Sequence, residues 1–461
     1  MSMRKLIPTS RLGAGRPGVG RIGTARRAAV RNQAFQAGLT PLPVRPDSWV
    51  LIPALLLLST GVVMVGSASI AIAEGQGVAS YHYLLRHLLY IAMGVALALS
   101  LRVIPMAFLE RISRPLMALS VLLLLMVFVP GLGHTVNGSA RWIRLGLLNF
   151  QAVEAVKLMV IIYLAGYLAR KAQLVQTRFF DTLKPLIFAG LLSVILLLQP
   201  DMGSAAVITA IVAGMVWLAG AAWRHIFVLG LLTLPAFGFA AMEPYRLRRI
   251  VSFMDPWADP FASGFQLTQA LIAVGRGELF GVGIGASIQK LFYLPEAHTD
   301  FVFAVLAEEF GLLGVACVLL LFLVLVLRSL RLSRLAAEAG MPFHACMAAA
   351  FGIWLGCQAF INVGVNMGLL PTKGLTLPFL SYGGSSMLIL FAMMGLVLRI
   401  ELELVLRHHG HLGDLGRLLA GLQPCRGWNI PGHVDVGSRQ WGLAANIRRT
   451  SQHHQEPCFF E

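Results

Sequence analysis

The chain has 461 residues, of which 57% are hydrophobic and only 13% charged, with a mean hydropathy of +0.75. Soluble domains carry about a quarter charged residues, so this composition excludes a soluble enzyme or binding module and implies an integral membrane protein. The formal net charge is +16. Its basic residues flank apolar runs, where membrane orientation explains them more simply than nucleic-acid binding.

Residues 1–47 hold nine Arg or Lys and one acid, Asp47, among Gly, Pro and Ala with no visible period. They read as a disordered basic cytoplasmic tail. The first apolar run, from about Trp49 to Val65, is followed by small residues at Ala68-Ser69-Ile70-Ala71 that mimic a signal-peptide cleavage site. The run is too long for that and many more spans follow, so an uncleaved first helix is expected. About 20 apolar residues cross a bilayer. Such runs fall near 49–69, 84–104, 115–133, 152–169, 184–200, 204–221, 224–243, 301–327, 343–368 and 384–405. The expected fold is an all-α polytopic membrane protein with about ten transmembrane helices and both termini on the same side. Cytoplasmic termini place Arg111, Arg114, Arg170, Lys171, Arg178, Lys184, Arg224, Arg328, Arg331 and Arg334 inside, in accord with the positive-inside rule. Arg141, Arg144, the arginines of the long loop at about 244–300, and Lys373 then lie outside, where charge needs another reason. That loop, between the seventh and eighth spans, suits an anionic lipid-linked substrate or is a solvated connector. Its apolar, Gly-rich part, Val274 to Ile284, has the composition to dip back towards the membrane. Residues 406–461 carry six His and two Cys without metal-ligand spacing, and read as a cytoplasmic C-terminal tail. Cys317, Cys346 and Cys357 lie in apolar runs, so no disulfide framework is implied.

Four polar places stand at the membrane boundary, where ionisable groups are costly and usually face the bundle interior. In Gly138-Ser139-Ala140-Arg141-Trp142-Ile143-Arg144, Trp142 is either an interfacial anchor or a platform for a sugar. Glu154 and Lys157, three apart, share a helix face and either neutralise each other or contact substrate. Asp201 in Gln199-Pro200-Asp201-Met202-Gly203 is read first as a helix cap. Leu294-Pro295-Glu296-Ala297-His298-Thr299-Asp300 places an acid at a helix start, with Glu308 and Glu309 roughly 12 Å deeper at about 1.5 Å per residue. Gln358, Asn362 and Asn366 recur every four residues as one polar stripe, read as helix-to-helix glue. The segment from Leu370 to Ser386 after it, with two prolines and many hydroxyls, cannot be regular helix.

The segments GSARWIRLG, QPDMG, YLPEAHTDFVFAVLAEEFGLLG and LPTKGLTLPFLSYGGSS, in this order across about residues 48–405, resemble the SEDS family (shape, elongation, division and sporulation). Thr372-Lys373-Gly374 is similar to the cell-division branch; the elongation branch tends to lack that lysine. One departure is Gln151-Ala152-Val153-Glu154, where the family usually has Pro-Ser between Gln and Glu. The resemblance implies a transmembrane domain over 48–405 and a peptidoglycan glycosyltransferase. Such an enzyme polymerises lipid II at the division septum of the bacterial inner membrane and releases undecaprenyl diphosphate. It also implies partnership with a class B penicillin-binding protein, the septal transpeptidase, and other division membrane proteins. By matching position Asp300 is the catalytic aspartate, a general base for the attacking hydroxyl. Arg141, Trp142, Glu154, Lys157, Arg246, Arg249, Glu296, His298, Lys373 and Ser381 form the expected substrate-binding set. No cofactor and no protein metal site is expected, although a divalent cation, Mg or Mn, is an alternative to the cationic side chains for stabilising the pyrophosphate. The rival class is a lipid II flippase, against which no inverted repeat is visible; a third is a non-catalytic scaffold.

Overall fold

The computed structural model describes residues 47–421, apart from 137–138, 146–147, 223, 226, 228–230, 232–237, 239–241, 243, 263 and 292. For 135–136, 139–140, 145, 148, 244–246, 248 and 408–421 the backbone alone is described. Residues up to His408 form one compact unit and those from His409 a second.

The chain opens with α1 (Ser48–Gly75), α2 (His82–Val103) and α3 (Met106–Met126). Asp47 starts α1 by accepting a hydrogen bond from the Trp49 amide at 2.9 Å, which satisfies one of the amides a helix start leaves unpaired. Three strands follow, β1 (Gly133–Val136), β2 (Ser139–Leu145) and β3 (Leu148–Gln151), then α4 (Ala152–Thr177), α5 (Phe179–Leu198) and α6 (Met202–Leu218). Two shorter helices, α7 (Pro244–Met254) and α8 (Phe265–Arg276), occupy the long loop. The last three are α9 (Val302–Glu338), α10 (Pro342–Asn366) and α11 (Gly384–Gly421). Among the described residues six helices are long and apolar enough to cross a membrane, and the chain is a polytopic membrane protein. Helices occupy nine of the ten stretches read as spans. The seventh, 224–243, lies largely outside the described residues. α11 continues to Gly421, past residue 405 where the apolar run ends.

α4 and α10 form the centre: Leu164, Ile161, Phe351 and Trp354 are fully or almost fully buried. α2 is peripheral and buries only His87, Gly94 and Ala98 within its length. It meets α11 through small residues. A Cβ on Gly395 would lie 2.4 Å from the Ala98 carbonyl oxygen, so these two backbones touch only because Gly395 has no side chain.

Two findings depart from the sequence reading. The first is an antiparallel three-stranded sheet, order β1-β2-β3, in a chain expected to be all-helical. Val136 pairs with Ser139 and Leu145 with Leu148, and residues 137–138 and 146–147 lie outside the described residues. The run Ser139–Leu145 is β-prone, but its arginines drew it into a loop reading.

The second is a break in α9. Gly311 has φ 65° and ψ −165°, a region open essentially to glycine alone. The apolar Gly-rich segment before it fills the gap. Val282 and Gly283 amides donate to the carbonyls of Glu308 and Glu309 at 2.9 and 3.1 Å. The Leu312 and Leu313 amides donate to the carbonyls of Glu278 and Leu279 at 2.9 and 3.2 Å. Irregular backbone at membrane depth persists only where protein satisfies its polar groups. The long loop is therefore no simple connector: its Val274–Ile284 part docks into the helix that follows it.

Candidate active site

Asp300 stands immediately before α9. The turn that presents it starts at Glu296, whose φ of 57° is left-handed. The Glu296 carbonyl accepts from the Thr299 and Phe301 amides, both at 3.2 Å, and its carboxylate accepts from the Thr299 hydroxyl at 2.7 Å. Backbone held in so sparsely populated a region by local hydrogen bonds is common at functional sites.

The polar stripe of α10 frames this turn. Asn362 and Asn366 side-chain amides both donate to the Asp300 carbonyl, at 2.9 and 3.1 Å. Asn366 also accepts from the Ala304 amide at 3.1 Å, and so holds the first turn of α9. The same stripe holds the Pro-rich loop. Asn362 donates to the Leu375 carbonyl at 2.6 Å and Gln358 to that of Thr376 at 2.9 Å. These amides bind irregular backbone as well as joining helix to helix, since Asn366 holds the first turn of α9 and Gln358 accepts from Lys157 of α4, so they are glue and loop support together. The Pro-rich loop thus lies against Asp300, and a Cβ on Gly374 would lie 3.0 Å from its Oδ2.

Around the carboxylate, charges arrive from its own turn and from three further segments. Burial comes first and Glu296 next in raising its pKa; Arg141 and Arg249 oppose them, Asp201 adds to the rise, and the result is about 7. The side chain keeps part of its surface open. Among the described residues no hydrogen bond to the carboxylate contributes to this shift. Arg141, on β2, donates to the Pro200 carbonyl. Arg249, on α7, donates to that of Thr372 at 3.3 Å. Lys373 reaches the Met202 sulfur at 3.3 Å. Asp201 caps α6, accepting from the Ser204 amide at 3.1 Å, as the sequence suggested. Its influence on Asp300 is a second role the sequence did not reveal.

The structure thus brings together Asp300, Glu296, Arg141, Arg249 and Lys373. Trp142 adjoins Arg141 on β2, half-buried, opposite His134 and Gln151 in the ladder. Glu154 and Lys157 make the ion pair at 2.9 Å. Both are buried, and Lys157 also donates to Gln358 at 3.1 Å. They support the α10 stripe from below rather than facing Asp300. Ser381 is buried, and its hydroxyl accepts from the Leu377 amide at 2.7 Å to close a turn. His298 is 8% exposed and packs among aromatic rings; burial holds its pKa down. Arg246 lies on α7, and its side chain is outside the described residues.

The two deeper acids are engaged elsewhere. Glu308 binds Arg276 at 2.7 Å, the Ser287 hydroxyl and the Ile288 amide. Glu309 binds Lys290 and Ser67, both at 2.8 Å. Both fasten the segment that fills the α9 break. Among the described residues no group of three or more His, Cys, Asp or Glu could hold a metal ion.

A polytopic bundle with a carboxylate at the mouth of a broken helix, and arginines from distant segments beside it, defines a class of membrane protein with a charged site at the end of its helices. The comparisons with known proteins give the family. The FtsW/RodA/SpoVE cell cycle protein family matches residues 48–405, and the chain belongs to it. It is 48% identical over 365 residues to the probable peptidoglycan glycosyltransferase FtsW of Thioalkalivibrio sulfidiphilus, covering 79% of this chain and 91% of that one. With the corresponding protein of Coxiella burnetii the identity is 47% over 358 residues, covering 77% and 96%. A chain from a peptidoglycan synthase complex that coordinates polymerization and crosslinking superposes with a TM-score of 0.65 at 30% identity, covering 78% of this chain and 99% of that one. The rod shape determining protein RodA of Thermus thermophilus gives a TM-score of 0.58 at 30% identity, covering 78% and 98%.

Proposed function

We propose that this protein is a peptidoglycan glycosyltransferase of the division septum, polymerising lipid II at the outer face of the bacterial inner membrane. The observation that carries the reading is the Asp300 carboxylate, on a turn whose Asp300 backbone carbonyl accepts from the Asn362 and Asn366 amides, with no hydrogen bond to the carboxylate from the described residues. In this reaction Asp300 takes the proton of an attacking sugar hydroxyl. The oxygen bonds to the anomeric carbon of the second sugar, and the bond to the lipid diphosphate breaks with inversion. A base titrating at about 7 is both ionised and basic enough near neutral pH.

The departing diphosphate carries the bonding pair away as negative charge, which Arg141, Arg249 and Lys373 offset; guanidinium and ammonium groups suit phosphate oxygens. A divalent cation brought with the diphosphate would supply the same charge. The other parts of the reading are ten spans, both tails (1–47 and 406–461) in the cytoplasm, a 48–405 catalytic domain, and a class B penicillin-binding protein that cross-links the product. The last accords with the synthase complex whose chain superposes on this one.

The test is Asp300→Ala in purified full-length protein reconstituted with that transpeptidase and given lipid II. Polymer made by wild type and lost in a folded variant is the expected outcome. Near-normal polymer in the variant refutes the base. Movement of lipid II across the bilayer without polymer, in wild type, would replace the enzyme with a flippase.

A further inference from the structure

We propose that Tyr83, at the start of α2, is a positioning residue that holds the Asp300 turn in place through a three-ring cluster. The inference rests on Asp300 as the base. The Tyr83 ring centroid lies 5.1 Å from that of His298 and 5.6 Å from that of Tyr382, the second pair nearly perpendicular at 86°. His298 and Tyr382 close the triangle at 5.5 Å. All three separations fall in the range where aromatic pairs attract, and the Tyr83–Tyr382 pair has the edge-to-face form. The Tyr382 amide also donates to the His298 carbonyl at 2.9 Å, so the cluster joins the two loops that meet at the site.

His298 is two residues from Asp300, so its placement fixes the approach of the carboxylate to within one or two Cα steps of about 3.8 Å. The turn is then held at two points. On one side α10 grips the Asp300 carbonyl; on the other the rings grip His298. Three observations assign the second grip to α2. The His298 ring is 8% exposed and its Nδ1 has no hydrogen-bond partner among the described residues, so packing holds it. α2 buries only His87, Gly94 and Ala98: the His87 ring lies 6.0 Å from that of Tyr382, while Gly94 and Ala98 pack against Phe391 and Gly395 of α11. Its outer end therefore reaches the site through these rings. Finally, the Tyr83 hydroxyl donates to Gln76 at 2.6 Å, away from the cluster, so the ring and the hydroxyl do separable work.

That separation gives the test. In full-length protein reconstituted with its transpeptidase, Tyr83→Ala should lower kcat for lipid II polymerisation by about tenfold or more with KM changed little, because misplacement of a reacting group of the order of 1 Å costs rate rather than binding. Tyr83→Phe keeps the rings and should stay within about twofold of wild type. Hydrogen exchange of peptides covering 296–301, which needs no turnover, should be faster in Tyr83→Ala and unchanged in Tyr83→Phe. Unchanged exchange in Tyr83→Ala overturns the proposal, as does full kcat in that variant or equal impairment of Tyr83→Phe. Asp300→Asn run alongside separates the two claims. If that variant polymerises, the base assignment falls while the exchange arm still decides whether Tyr83 positions the turn.

Discussion

The pH dependence of polymerisation is the sharpest consequence of the site. A base must be deprotonated to act, so a raised pKa removes activity as pH falls through it. An ordinary aspartate, near 3.8, would leave the rate flat between pH 6 and 8. With Asp300 at about 7, about one molecule in eleven is ionised at pH 6 and ten in eleven at pH 8, so kcat/KM should rise about tenfold between them. The neighbours give the sign of each perturbation. Arg249 favours the carboxylate and Glu296 disfavours it. Arg249→Gln should move the midpoint up, by about one unit for a partly open site, so that at pH 7 the ionised fraction falls from about half to about a tenth. Glu296→Gln should move it down by a similar amount. Arg249 also steadies the Thr372 carbonyl and is a candidate for the diphosphate, so its loss lowers the absolute rate as well; the midpoint is the diagnostic quantity. Initial rates with fluorescent lipid II in proteoliposomes, buffered from pH 5.5 to 8.5, measure it. A flat wild-type profile, or variants that shift the midpoint in the same direction, would refute the electrostatic account.

Two further predictions concern the scaffold. Glu154→Gln leaves Lys157 buried beside neutral partners, and breaking a buried pair costs about 3 kcal/mol or more. Thermal unfolding should register that loss, Lys157→Met in the same chain should recover part of it, and KM should move little because neither side chain faces Asp300. Gly311→Ala combines a forbidden φ with a Cβ 2.3 Å from the Gly281 amide nitrogen. It should cost about 3 kcal/mol or more and release the 277–283 segment to proteolysis; a variant as stable and protected as wild type would mean that α9 tolerates an unbroken path.

What the sequence disclosed was what a single element carries. Apolar length marked the helices now seen, the three-residue spacing of Glu154 and Lys157 marked their pairing, and the turn Pro200-Asp201 marked the cap of α6. The Asp300 turn was also legible, because a proline followed by acids at the edge of an apolar run has few uses. The β-prone run Ser139–Leu145 carries two arginines, and their charge masks its strand character in the sequence. Hidden were the partnerships that join distant segments. Nothing near Asn362 in sequence indicates that its amide is spent on Asp300, 62 residues away. Nothing near Tyr83 indicates His298.

The break in α9 shows why the carboxylates could not be ranked from sequence. Hydropathy runs unbroken across Gly311, because it records what a residue is and not the backbone angle it takes. Three acids on one apparent helix then look equivalent. Once the helix is interrupted, backbone groups on both sides of the gap need partners from the inserted segment, and Glu308 and Glu309 are consumed by Arg276, Ser287, Ile288, Lys290 and Ser67 in closing it. A carboxylate paired with a cation and bound by donors is a poor base, since each such contact with the charged form lowers its basicity. Asp300 stands at the opposite extreme, raised by burial and by acids, and touched by no donor among the described residues. The same interruption that spends two acids on structure sets them apart from Asp300, the base we propose.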